Sequence, residues 1–129
     1  MIPESAIIEW ADSVPWISNA QIEQDLVISR ALVELFNDEY LSMHLAFRGG
    51  TALHKLFLAP QPRYSEDIDL VQINAESIKS TINRIKEVLF WLGKPVIKQK
   101  TNNNTLVFRF ESEMQPILPL RLKIEINYR

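Results

Sequence analysis

The order of apolar and polar positions divides the chain into helical and extended stretches. Between Ser18 and Asn37, the residues Ile22, Leu26, Leu32, Val33 and Phe36 recur at the spacing of one helix face, interrupted at Ser29. Ser18 or Asn19 can cap this helix, and Asp25 and Arg30 fall on its more polar faces. A shorter helix is predicted from Ser5 to Ser13, ended by Pro15. A second long helix is predicted from Ala75 to Leu92, with Ile78, Ile82, Ile85, Leu89 and Leu92 as its stripe and Gly93 as its stop. Trp10, Trp16 and Trp91 read as helix-packing residues.

Extended stretches come between and after the helices. Leu45-Ala46-Phe47 is short and apolar, and Asp67 to Ile73 carries Ile68, Leu70 and Ile73 in a strand-like run. Between them a short helix is expected over Thr51 to Phe57, then a loop marked by Pro60 and Pro62. Pro95 to Lys100 and Leu106 to Glu111 read as strands joined by the turn Thr101-Asn102-Asn103-Asn104. Leu120 to Ile126 alternates apolar and polar residues, as a half-buried strand does. The order predicts an α+β fold with a mixed or antiparallel sheet and helices packed mainly on one face.

Length and composition narrow the class. A chain of 129 residues suits one domain. The net charge of −2 is not that of a basic nucleic-acid-binding domain, so any such contact must use a local patch, of which Lys94, Lys98 and Lys100 are a short example. The absence of cysteine excludes disulfides and thiolate metal sites and points to a reducing compartment. The N-terminus has no signal-peptide pattern, and no apolar run approaches the ~18 residues of a membrane span. A cytoplasmic protein with no membrane partner is therefore expected. Ending on an apparent central strand suggests a domain taken from a longer protein, or a partner that covers this end.

The chemistry concentrates in two places. In a strand, Asp67 and Asp69 point to the same side while Ile68 points away. Two carboxylates so placed repel, and a divalent cation removes the repulsion; their hard oxygens suit Mg²⁺, which shares its shell with substrate phosphates. The plain alternative is a pair of solvated acids. Gly49-Gly50-Thr51 supplies a backbone that can approach a ligand closely, followed by a helix start whose free N–H groups attract phosphate. Alone it is equally a capped tight turn. Lys55, one helical turn beyond Thr51, can reach a phosphate, and Arg63 and Ser65 can contact phosphate or sugar; all three can also be ordinary surface residues. Glu125 is the candidate third acid, on condition that its strand lies beside that of Asp67; otherwise it is one half of a cross-strand ion pair. His44 and His54 are too isolated to argue for zinc or a catalytic base.

These residues resemble a known family. Phe47-Arg48-Gly49-Gly50-Thr51-Ala52-Leu53-His54-Lys55-Leu56-Phe57, followed by Arg63-Tyr64-Ser65-Glu66-Asp67-Ile68-Asp69-Leu70, is similar to the AbiEii/AbiGii toxins of the DNA polymerase β-like nucleotidyltransferase superfamily. Ile22-Glu23-Gln24-Asp25 and Lys123-Ile124-Glu125-Ile126-Asn127 support the likeness. The resemblance implies a polymerase β-like palm over residues 1–129, the N-terminal part of a protein whose helical C-terminal domain is absent here. It implies Mg²⁺, as two ions, and a nucleoside triphosphate as substrate. By resemblance, Gly49, Gly50 and Thr51 hold the triphosphate, Lys55 assists at the phosphates, and Asp67, Asp69 and Glu125 hold metal. The acceptor would be tRNA or another RNA, and the partner a cognate antitoxin within an abortive-infection system. A nucleotide-binding or antitoxin-interaction module without turnover of its own is the alternative.

Overall fold

The computed structural model describes residues 2–16, 18–48 and 67–128. Helix α1 spans Glu4–Ala11, α2 Asn19–Asn37 and α3 Glu39–His44. Strand β1 (Leu45–Arg48) follows α3 directly, and β2 is Asp67–Gln72. Helix α4 (Lys79–Val88) and a 3-10 turn (Phe90–Leu92) lead into β3 (Val96–Gln99), β4 (Asn103–Glu111) and β5 (Pro119–Asn127). The five strands form one mixed sheet in the order β1-β2-β5-β4-β3. Only the β2–β5 pair is parallel. The last strand of the chain therefore lies inside the sheet, against the strand of the aspartates.

The two faces of the sheet differ because alternate residues point to opposite sides. Ile68 and Leu70 of β2, Leu122, Ile124 and Ile126 of β5, and Leu106 and Phe108 of β4 are buried on one face. They join Val27, Ile28, Ala31 and Leu35 of α2 with Ile82 and Ile85 of α4 in one apolar core. Each fully buried side chain of this kind contributes about 1.5–3 kcal/mol relative to exposure. The opposite face carries Asp67, Asp69, Lys123 and Glu125, all partly exposed. The expected α+β class, with a mixed sheet and helices over one face, is the architecture found.

Several boundaries and faces differ from the pattern reading. Helix α2 buries a broader arc than its apolar stripe: Val33 is 56% exposed, whereas Glu23, Gln24 and Asp25 are buried. These polar groups are inside because each has a tertiary partner. The indole Nε1 of Trp10 donates to Asp25 Oδ2 (2.8 Å), and Gln24 Nε2 donates to the carbonyl of Arg121 (2.6 Å). The Glu23 carboxylate accepts from the backbone N–H groups of Glu113 and Met114, fastening the β4–β5 loop to α2.

Helix α3 is an element that periodicity alone does not separate from its surroundings. Asp38 adopts an extended backbone, and its side chain accepts from Leu41 N (3.0 Å), ending α2 and capping α3. The Ala75–Leu92 helix contracts to α4 plus the 3-10 turn. Gly93 then sits at φ +83°, ψ −164°, a conformation essentially confined to glycine. The asparagine turn is shorter than expected, since β4 begins at Asn103. Among the described residues no helix is long and apolar enough to cross a membrane.

Candidate active site

Three acids occupy one face of the sheet because of register. In the parallel β2–β5 pair, Asp67 is opposite Lys123 and Asp69 is opposite Glu125. Glu125 thus meets the condition set for it: its strand lies beside that of the aspartates. One carboxylate oxygen of Asp67 is fully shielded from solvent. Ile68 and Leu70, pointing into the core between these acids, anchor the strand so that its polar side cannot rotate away.

Glu125 has two neighbours that pattern reading does not single out. Asn103 Nδ2 donates to Glu125 Oε1 at 3.1 Å. Lys123 Nζ lies 3.7 Å from Glu125 Oε2, with side chains 33% and 27% exposed. An ion pair this open is worth ~0–1 kcal/mol, so Lys123 is a weak tether that another cation can displace. The signal for Lys123 was present in the sequence, two residues before Glu125 on the same strand face. Asn103 was hidden by its place in an asparagine turn; it became a neighbour only when β4 paired with β5.

The face continues across the whole sheet. Arg48 pairs with Asp69, Asp69 with Glu125, Glu125 with Thr105, and Thr105 with Lys98. One cross-strand row therefore runs from β1 through the acids to the β3 edge. Strand β1 ends at Arg48, and Gly49 is the next residue in the chain. Gly49, Gly50, Thr51, Lys55, Arg63 and Ser65 lie outside the described residues.

The donor chemistry on this face suits a hard divalent cation: carboxylate oxygens from adjacent strands, one of them shielded from water. Among the described residues, no three His, Cys, Asp or Glu side chains close into a metal cluster as they stand. Glu125 is instead held by Asn103 and Lys123. His44 is occupied structurally: its ring stacks on Tyr40 (4.0 Å), Nδ1 lies 2.8 Å from the Tyr40 carbonyl, and Nε2 lies 3.4 Å from Glu76 Oε1.

The fold is shared with known proteins. The chain is similar in fold to MenT4, a nucleotidyltransferase toxin of Mycobacterium tuberculosis H37Rv, with a TM-score of 0.59 at 16% identity over 100% of this chain and 44% of that one. A Helicobacter pylori protein assigned to the nucleotidyltransferases matches with a TM-score of 0.58 at 20% identity, over 88% of this chain and 47% of that one. JHP933 from Helicobacter pylori matches with a TM-score of 0.53 at 23% identity, over 83% and 45%. The chain spans a little under half the length of each of these proteins. No curated protein matches it. The family model described as the nucleotidyl transferase AbiEii toxin of type IV toxin–antitoxin systems matches residues 30–129, from the middle of α2 through β5. The chain belongs to the AbiEii family of nucleotidyltransferase toxins.

Proposed function

We propose that this domain transfers a nucleotidyl group from a nucleoside triphosphate to an acceptor hydroxyl, as the toxin of a toxin–antitoxin pair. The observation that carries the reading is the register that sets Asp69 beside Glu125 with Asp67 on the same face. The oxygen of the acceptor hydroxyl attacks the α-phosphorus and forms the new P–O bond, its proton passing to solvent. The bond from that phosphorus to the bridging oxygen breaks, and pyrophosphate leaves in line.

Asp67, Asp69 and Glu125 would hold Mg²⁺, as two ions, which when bound neutralises charge on the phosphates. Glu125 can turn from Lys123 toward the aspartates, because the contact it gives up is weak. Gly49, Gly50 and Thr51 bind the triphosphate through backbone N–H groups, with Lys55, Arg63 and Ser65 at phosphate and sugar. Catalysis then rests on positioning and fixed charge, since phosphoryl chemistry asks little covalent work of the protein. The acceptor is tRNA or another RNA, the site of action is the cytoplasm, and a cognate antitoxin restrains the activity, as in abortive infection.

The test is transfer of label from α-³²P nucleotides to a total tRNA pool. Label should appear only with Mg²⁺, and Asp67→Asn should reduce it by about a hundredfold or more while circular dichroism is unchanged. Undiminished labelling by Asp67→Asn refutes the assignment. A second reading, nucleotide binding without turnover, is favoured by Glu125 being held by Lys123 and Asn103. Mg²⁺-dependent nucleotide binding by calorimetry with no labelled product on any acceptor would select it.

A further inference from the structure

Charge is distributed unevenly along this chain. Residues 78–100 contain Lys79, Arg84, Lys86, Lys94, Lys98 and Lys100 against a single acid, Glu87, a net of +5. The whole chain is −2, so the remainder is −7. A fold that is acidic elsewhere gathers six of its 14 cationic residues on α4, on β3, in the turn between them and at the residue that follows β3.

Three of these residues, Lys79, Lys86 and Lys94, border two adjoining grooves. One, of about 510 Å³, is lined by Lys86, Phe90, Gly93, Lys94 and Pro95. The other, of about 390 Å³, runs between α4 and β3 and includes Lys79, Lys86, Ile97 and Gln99. Lys86 belongs to both, and among the described residues neither groove has an acidic side chain in its lining. Phe90, in the lining of the first, has 76% of its surface exposed. A large bare aromatic flanked by ammonium groups matches the two halves of a nucleotide, a base face and a phosphate. On the other side of the same edge, Lys98 ends the cross-strand row that begins at the acids. At ~4.8 Å per strand, Lys98 is roughly 10 Å from Glu125 and roughly 14 Å from Asp69, a span of a few nucleotides.

We propose that the α4–β3 edge docks a single-stranded nucleic-acid tail, with the lysines on its phosphates and Phe90 stacked on a base, and leads the tail's end along the Lys98–Thr105–Glu125 row to the acids. The meaning of that path rests on the nucleotidyl-transfer reading; the binding itself does not. Protection of a free sheet edge accounts for Lys94, Lys98 and Lys100, because lysines discourage strand addition. It does not account for Lys79 and Lys86 on a helix, and an exposed phenylalanine works against it.

The experiment is fluorescence anisotropy of a fluorescein-labelled RNA hairpin with a single-stranded 3′ tail, titrated with the purified chain at several salt concentrations. Binding should weaken with salt, and the double variant Lys86→Gln/Lys94→Gln should lower the log–log salt slope by about two. Phe90→Ala should weaken binding about tenfold, and should have no effect on a blunt hairpin without the tail. All three side chains are exposed, so circular dichroism should be unchanged in these variants. Asp67→Asn should not weaken RNA binding while it abolishes label transfer, which separates failure of this surface from failure of the catalytic reading. No binding of the hairpin, or binding with the same affinity and slope in all variants, overturns the proposal. So does capture of a polyglutamate peptide in place of RNA, which would make this face a site for an acidic protein.

Discussion

Asp38 shows how much one carboxylate can organise. It caps α3 through Leu41 N, and it accepts from Nε and Nη2 of Arg84 on α4, at 2.8 and 2.6 Å. The Arg84 hydrogen bond, more than any other influence, holds the Asp38 carboxyl below the ordinary carboxylate range; the backbone N–H of Leu41 adds to this and desolvation opposes it. A carboxyl whose folded pKa is depressed gives stability that is present above its unfolded value, near pH 4, and lost as pH falls through the folded one. Arg84→Gln should therefore lower the urea midpoint at pH 7, and the gap from wild type should close as the pH is taken below about 4. A gap constant from pH 7 to pH 2 would show that the pair contributes through packing alone. Glu23 makes a second case. Removing its side chain leaves the N–H groups of Glu113 and Met114 without their carboxylate, at about 1–3 kcal/mol for such a buried loss. Glu23→Ala should show that loss in chemical denaturation, and Glu23→Gln, which keeps one acceptor oxygen, a smaller one. Neither role was legible beforehand. Charge at Glu23 and Asp25 says surface, and the partner of Glu23 lies 90 residues away in the chain. Asp67 and Asp69 were legible because the i, i+2 rule is local and needs no knowledge of the fold.

At the scale of elements, existence was easier to read than extent. The stripe Ile78, Ile82, Ile85 marks α4 correctly, since those residues face the core. Its ends were not marked, because the chain passes from α-helix into a 3-10 turn while still presenting Leu89 and Leu92 to the same core. Apolar spacing cannot distinguish those two backbones over one turn. Gly93 was read as a helix stop, and its role is sharper than that. Its φ of +83° with ψ of −164° redirects the chain from the 3-10 turn into β3, although no atom within 4 Å would crowd a Cβ there. The cost of a side chain is thus backbone strain alone, about 1–3 kcal/mol. Gly93→Ala and Gly93→Ser should be destabilised by nearly equal amounts in thermal melts. A much larger effect for serine would mean that space, not conformation, sets the requirement.

For the whole molecule, the parallel contact between β2 and β5 is the step that sequence could state only as a condition. The paired residues of the two strands lie 56 positions apart in the chain, and pairing of such distant segments is decided by the sheet as a unit. Once they pair, one face is closed by the core and the other is obliged to present acids side by side. In the proposed function that arrangement costs stability through like-charge repulsion, which a bound cation and phosphate would relieve, the usual conflict between a functional site and a stable fold. A ligand-linked shift follows. Wild type with Mg²⁺ and a nucleoside triphosphate at about a hundred times the dissociation constant should gain about 2.7 kcal/mol, roughly 10 °C in a domain of this size. The Asp69→Asn protein should lose most of that ligand-induced gain. If both proteins respond equally to nucleotide and Mg²⁺, the acids do not participate in holding either, and the sheet face serves another purpose.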